Sequence, residues 1–294
     1  MSELVSIIMP TFNREKKIIK AIDSVRSQTY KNWELIIVDN FSTDETKKNI
    51  ENLNDHRIKF FQIKNNGIIA RSRNYGIDKS SGEIISFLDS DDWWKFDKLQ
   101  QAVNFIKKGY DFTYHRLIKY NENKNFIIFN KTHSYNLTEP IFKNLMKGGN
   151  CIPNSSVSIL KKYIINVGKF SESEDLVGSE DFDGWLKIAK LTDKFIEIPK
   201  ALGYCHIGND NYSNDSILLR NLQTLENIHL ADSNEISSSF SYQRARIFQR
   251  EKSYRKAIEF YKAAIVNNPH SLILARSLVS LFILKILLFL RLIK

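Results

Sequence analysis

Three short apolar runs constrain this chain most: 4–9 (Leu-Val-Ser-Ile-Ile-Met), 34–38 (Glu-Leu-Ile-Ile-Val) and 84–88 (Ile-Ile-Ser-Phe-Leu). Each is too short for a typical helix and too uniformly apolar for a strand with one wet face, so each reads as a strand buried on both sides. Helical patterns lie between them: Ile18, Ile19, Ile22 and Val25 ahead of Gln28, then 43–53, then a stretch that Gly67 opens and that reaches Ile77. A weaker strand falls at 58–63. Strands alternating with helices imply a parallel sheet with right-handed crossovers, in which ligands bind beyond the carboxyl ends of the strands.

Each strong run ends on polar chemistry: Pro10-Thr11-Phe12-Asn13 after the first, Asp39-Asn40-Phe41-Ser42 after the second, and Asp89-Ser90-Asp91-Asp92 after the third. Asp89 and Asp91 stand one residue apart, a spacing that lets two carboxylates face one hard divalent cation, which in turn holds a diphosphate. The competing reading is a polar turn with Asp92 capping the helix that follows. Asp39 can accept the N3–H of a uracil with Pro10, Thr11 and Phe12 as the facing wall; equally, it can be a turn residue, with Ser42 or Thr43 capping the next helix. Asn66-Gly67 followed by Arg71, Arg73 and Asn74 brings a tight turn and guanidinium donors to the same rim.

Further along, 95–108 reads as a helix, 111–118 and 125–130 as strands, and 139–170 as short mixed elements around Gly148, Gly149 and Pro153. From Asp181 to Leu191 the spacing of Trp185, Ile188 and Ala189 gives an amphipathic helix. Glu180 and Asp181 open it, and charges there are favourable whether or not they are catalytic.

In order, Val5 to Arg14, Glu34 to Thr46, Asn66 to Ile77, Gly82 to Leu99 and Gly178 to Ala189 resemble the family 2 glycosyltransferases, across roughly the first two thirds of the chain. The resemblance implies a GT-A fold: an α/β domain with a Rossmann-like, mostly parallel sheet flanked by helices, followed here by an α-helical extension. It implies a catalytic domain at 1–215 (a nucleotide-binding half at 1–100 and an acceptor-binding half at 101–215) and an extension at 216–294. It further implies an inverting, metal-dependent enzyme that moves a hexose or N-acetylhexosamine from a UDP-sugar to a glycan or lipid-linked glycan, as in bacterial surface polysaccharide assembly.

On that resemblance Pro10, Thr11, Phe12, Asn13, Asp39, Ser42 and Ser90 line the nucleotide-sugar site, Arg73 faces the base or diphosphate, and Asp89 reaches the ribose. Asp91 coordinates Mn²⁺ or Mg²⁺, and Asp181 is the catalytic base. Tyr204-Cys205-His206, followed by Asn211 and Ser213, resembles the family's Tyr-x-His segment, which brings His206 to the metal or diphosphate. Glu180 and Trp185 are expected on the acceptor side. Asn40 and Phe41 depart from the family's frequent Asp and Gly, and Phe96 from a frequent Pro. A Gly-rich phosphate loop after the first run, expected of a nucleotidyltransferase, is replaced by Pro10-Thr11-Phe12-Asn13.

The chain carries a formal charge of +10, and residues 217–294 hold 12 Lys/Arg against 5 Asp/Glu. A basic helical binding scaffold with a non-catalytic nucleotide-binding domain is the rival, but three acidic strand ends repel phosphate unless a metal intervenes, so nucleic acid is not the expected partner. Tyr254, Ala257, Tyr261, Ala264 and Pro269, with Ala245 and Phe248 ahead of them, fit a single tetratricopeptide-like helical pair. Residues 271–294 form an apolar helix interrupted by Arg276, Lys285 and Arg291, expected to lie on an anionic membrane surface rather than to span it. Packing on the domain, or contact within a homo-oligomer, is the alternative. Two cysteines in no metal-ligand spacing and an N-terminus without a signal pattern suggest a cytoplasmic protein, peripheral on the cytoplasmic face of the membrane.

Overall fold

The structure is a computed structural model that describes residues 3–121, 126–132, 134–207, 214–231, 236–267 and 270–290. Strands β1 (Val5–Thr11), β2 (Trp33–Asp39), β3 (Ile58–Gln62), β4 (Ile84–Phe87), β5 (Trp93–Trp94), β6 (Phe112–Asn121), β7 (Phe126–Lys131), β8 (Ser158–Leu160) and β9 (Phe195–His206) form one sheet. Its order is β3-β2-β1-β4-β8-β6-β9-β5, with β7 on β6. Helices are α1 (Ile18–Arg26), α2 (Thr46–Glu51), α3 (Ile69–Lys79), α4 (Lys98–Lys107), α5 (Ile141–Gly148), α6 (Lys161–Asn166), α7 (Glu180–Ala189), α8 (Asp215–His229), α9 (Ser238–Arg250), α10 (Tyr254–Val266) and α11 (Ser271–Phe289).

The three strong apolar runs become β1, β2 and β4, and with β3 they pair in parallel. The rest of the sheet is mixed. β8 runs antiparallel to β4 and β6, β9 is parallel to β6, and β5 is antiparallel to β9. β1 also continues past Pro10 to Thr11 instead of stopping there. Ile8 accepts the Leu88 N–H on the β4 side, so Pro10, two residues on, turns its nitrogen to that same side, where pairing with β4 has ended and a missing N–H is tolerated. α3 lies close to β1: a Cβ on Gly76 would come 2.6 Å from Ile8 Cγ2, so only glycine fits.

The chain divides into two compact units, Met1–Leu137 with Cys151–Asn211, and Thr138–Asn150 with Tyr212–Lys294. Residues 138–150, expected in the acceptor half, therefore group with the helical unit. There α9 and α10 pack as a hairpin, with Ala245, Ala257 and Tyr261 buried against Leu284 of α11. By length and composition alone α11 is apolar enough to cross a membrane, a test that core helices also pass. Ile273, Ser277 and Leu284 are buried, while Leu278, Val279, Phe282, Ile283, Ile286 and Phe289 are exposed.

Within the sheet unit, Lys98 is fully buried and its Nζ finds only neutral acceptors: Ser158 Oγ at 2.7 Å, with Ser86 Oγ and the Val157 carbonyl at 3.4 Å. Burial holds its pKa well below the ordinary 10.5. The folded state therefore binds fewer protons than the unfolded one between that depressed value and 10.5, and this cost fades as pH rises toward 10.5. The two serines already bond each other at 2.6 Å. Lys98→Met should stabilise the protein at pH 7 by about 1–3 kcal/mol, the scale of apolar replacements of buried charges. The gap to wild type should close as pH approaches 10, and chemical denaturation at pH 7 and 10 checks this; a gap that widens with pH contradicts it.

Candidate active site

The carboxyl ends of β1 and β2 are tied together. Asn40 donates its backbone N–H to the Thr11 carbonyl (2.9 Å), Asn13 donates its own to Ser42 Oγ (2.8 Å), and the Thr43 N–H reaches Asn13 Oδ1 (2.9 Å). Ser42 thus caps no helix. Its N–H lies 2.9 Å from Asp39 Oδ2 and its hydroxyl donates to Asp39 Oδ1, while Gln62 Nε2 donates to Oδ2 at 3.0 Å. Asp39 is fully buried. An ionised carboxylate offers about four acceptor positions, so one on Oδ1 is left for a further donor. The Thr11 hydroxyl nearby is buried without a hydrogen-bond partner.

A second set of carboxylates follows β4. Arg73 on α3 is buried, donates from Nη2 to Asp89 Oδ1 (2.9 Å), and bonds Glu180 Oε1 through Nη1. Burial would depress its pKa, but the charges of Asp89 and Glu180 outweigh that and raise it. Asp89 also accepts from Asn154 Nδ2 (3.3 Å), and its N–H donates to Ser155 Oγ (3.1 Å). The other Glu180 oxygen accepts the Gly178 N–H at 2.8 Å. Both Glu180 oxygens are therefore engaged inward, which corrects its expected place on the acceptor side. Trp185 is corrected too: it is fully buried and packs edge-on against Phe112 and Phe170, with Phe87 tilted beside it.

Asp181 accepts the Phe182 N–H at 2.6 Å. Its pKa is pushed up to about 7, by burial first and by the charge of Glu180 next. Such a carboxylate is placed to exchange a proton near neutral pH.

Asp92 does not cap the following helix, because β5 intervenes and α4 begins only at Lys98. Its buried carboxylate instead accepts the His206 N–H at 3.0 Å, fastening β9 to the acidic turn. Burial, then the charges of Asp89 and Asp91, hold its pKa well above the carboxylate range; burial and Asp89 raise that of Asp91. Arg14 Nη2 lies 3.6 Å from Asp91 Oδ2. Three crowded carboxylates fit a bound cation, although no three His, Cys, Asp or Glu side chains converge as a ready-made metal cluster among the described residues. The His206 ring has Lys17 Nζ 3.2 Å from Nε2. Asn211 and Ser213 lie outside the described residues.

The structure thus gathers Thr11, Asn13, Asp39 and Ser42 at one end of the rim, and Arg73, Asp89, Glu180 and Asp181 in a linked set. Ser90 is buried within the acidic turn. Arg14, Gln62 and Asn154 join the site without being among the residues expected there. Arg14 directly follows Pro10-Thr11-Phe12-Asn13 and was legible there, whereas nothing in sequence ties Gln62 or Asn154 to the site.

Residues 6–167 match the model of glycosyl transferase family 2. The chain is 34% identical over 190 residues to the Escherichia coli UDP-Glc:alpha-D-GlcNAc-diphosphoundecaprenol beta-1,3-glucosyltransferase WfgD, covering 64% of this chain and 70% of that one. It is 26% identical over 268 residues to the Campylobacter jejuni GalNAc(5)-diNAcBac-PP-undecaprenol beta-1,3-glucosyltransferase, covering 88% and 72%. Among solved structures, S. aureus TarS 1-349 in complex with UDP-GlcNAc superposes with a TM-score of 0.65 at 18% identity, over 88% of this chain and 81% of that one, a likeness of fold. The chain belongs to glycosyl transferase family 2 and is a glycosyltransferase.

Proposed function

We propose that the chain transfers a hexose or N-acetylhexosamine from a UDP-sugar to a hydroxyl of a lipid-linked glycan, with inversion, in surface polysaccharide assembly. The observation that carries this reading is Asp181: a carboxylate poised near pH 7, one residue from the Glu180–Arg73–Asp89 chain that leads to the donor end of the sheet. Two relatives whose names specify diphosphoundecaprenol-linked acceptors support the acceptor class.

In the proposed reaction, Asp39 accepts the uracil N3–H through its remaining lone pair, Thr11 offers its hydroxyl to the nucleoside, and Asp89 holds the ribose. Asp181 takes the proton of the acceptor hydroxyl as that oxygen bonds the anomeric carbon and the bond to the diphosphate breaks; UDP leaves, and no covalent enzyme intermediate forms. A divalent cation, Mn²⁺ or Mg²⁺, fits at Asp91, with His206 beside it, and when bound it neutralises diphosphate charge. Arg73 keeps Asp89 and Glu180 in register for these steps.

The proposed partner of the helical unit is the anionic membrane surface that carries the acceptor, on its cytoplasmic face. The exposed apolar residues of α11 and the basic excess of residues 217–294 complement such a surface in hydrophobicity and in charge.

Three outcomes test these assignments. Asp181→Asn should bind UDP-sugar as wild type does yet lose transfer by at least about 100-fold, the low end for a general base. The wild-type rate should climb with pH through about 7, since Asp181 must be ionised to accept a proton; transfer by Asp181→Asn at the wild-type rate sinks the assignment. Phe282→Glu with Phe289→Glu, both at exposed positions, should abolish flotation with anionic liposomes while the fold persists by circular dichroism; undiminished flotation contradicts the membrane reading, and a dimer in solution that these changes split replaces it with self-association.

A further inference from the structure

Phe41 combines two unfavourable features. Its φ is +55°, the left-handed region that a bulky side chain rarely adopts, and its ring is 47% exposed. Glycine would relieve the first cost and remove the second. Retention of both in a rigid turn is the pattern of strain kept for a ligand.

The turn fixes where this ring stands. Asn40 and Ser42, on either side of Phe41, bond Thr11 and Asn13, on either side of Phe12, by the Asn40 N–H to Thr11 carbonyl bond (2.9 Å) and the Asn13 N–H to Ser42 Oγ bond (2.8 Å). Phe12 and Phe41 are thus opposite members of two cross-linked loops, and Phe12 is likewise exposed, at 45%. Asp39 lies at the root of the same turn, two residues before Phe41, with one acceptor position left. Two exposed aromatic side chains, on cross-linked loops that spring from the strand ends beside a buried carboxylate, suit a flat heterocycle with an N–H on its edge, the rings offering faces and the carboxylate an acceptor.

We infer that Phe41 is a donor-binding residue, the second wall of a nucleobase clamp whose first wall is Phe12 and whose floor is Asp39. The inference rests on the uridine-donor reading above and adds to it a side chain that stacks on the base. Phe41 touches neither sugar nor diphosphate in this scheme, so its contribution is the same for any ligand that carries the uracil.

Titration calorimetry with UMP and with UDP in the presence of Mn²⁺ tests the clamp, alongside thermal unfolding. Phe41→Gly should melt no lower than wild type, because the left-handed turn suits glycine. It should bind both nucleotides about tenfold more weakly, within the range that loss of one base–aromatic stack gives. Phe41→Trp should restore wild-type affinity. If Phe41→Gly binds UMP and UDP as wild type does, the clamp is wrong and the donor reading stands. A drop for UDP alone also overturns it, by assigning the residue to the diphosphate. If wild type binds neither nucleotide, the donor reading falls and the clamp falls with it.

Discussion

The site depends on one buried cation. Arg73 places its guanidinium between Asp89, at the end of a central strand, and Glu180, at the start of a helix more than ninety residues later in the chain. Without a positive charge, two carboxylates could not share that interior, because each would repel the other at low dielectric. With it, the donor end of the sheet and the helix that carries Asp181 are held as one object. Arg73 also counters the rise in the Asp181 pKa that burial and Glu180 drive, so this carboxyl settles at about 7 instead of being locked in its protonated form.

The acidic turn works on a related principle. Asp92 is spent on structure, holding the His206 backbone, while Asp91 keeps its side chain toward the rim near Arg14. Burial, then the crowding of three carboxylates, raises the pKa values of Asp91 and Asp92. Family membership makes this chain a glycosyltransferase; the geometry adds that Glu180 and Asp92 are engaged within the fold.

Much of this was legible in the residues. The apolar runs at 4–9, 34–38 and 84–88 could only be strands covered on both faces, and strands of that kind bring their carboxyl ends to one rim. The roles of Glu180, Trp185 and Asp92 were misread for a common reason: a sequence shows that a polar or aromatic residue stands near a motif, not which way its side chain turns. Glu180 turns inward to Arg73, Trp185 fills the space among Phe87, Phe112 and Phe170, and Asp92 reaches a strand more than a hundred residues away. The antiparallel half of the sheet was hidden because β5 and β8 are too short to carry a periodic signal. The grouping of residues 138–150 with the helical unit depends on long-range packing that no local pattern encodes.

The central claim is that a single carboxylate, Asp181, drives one direct displacement at the anomeric carbon. The most direct test is the anomeric configuration of the product, read by proton NMR after transfer from an α-linked UDP-sugar to a GlcNAc-diphospholipid acceptor. A β-linked product is the predicted result. An α-linked product would contradict the account, since retention requires either a second displacement or attack from the face of the leaving group.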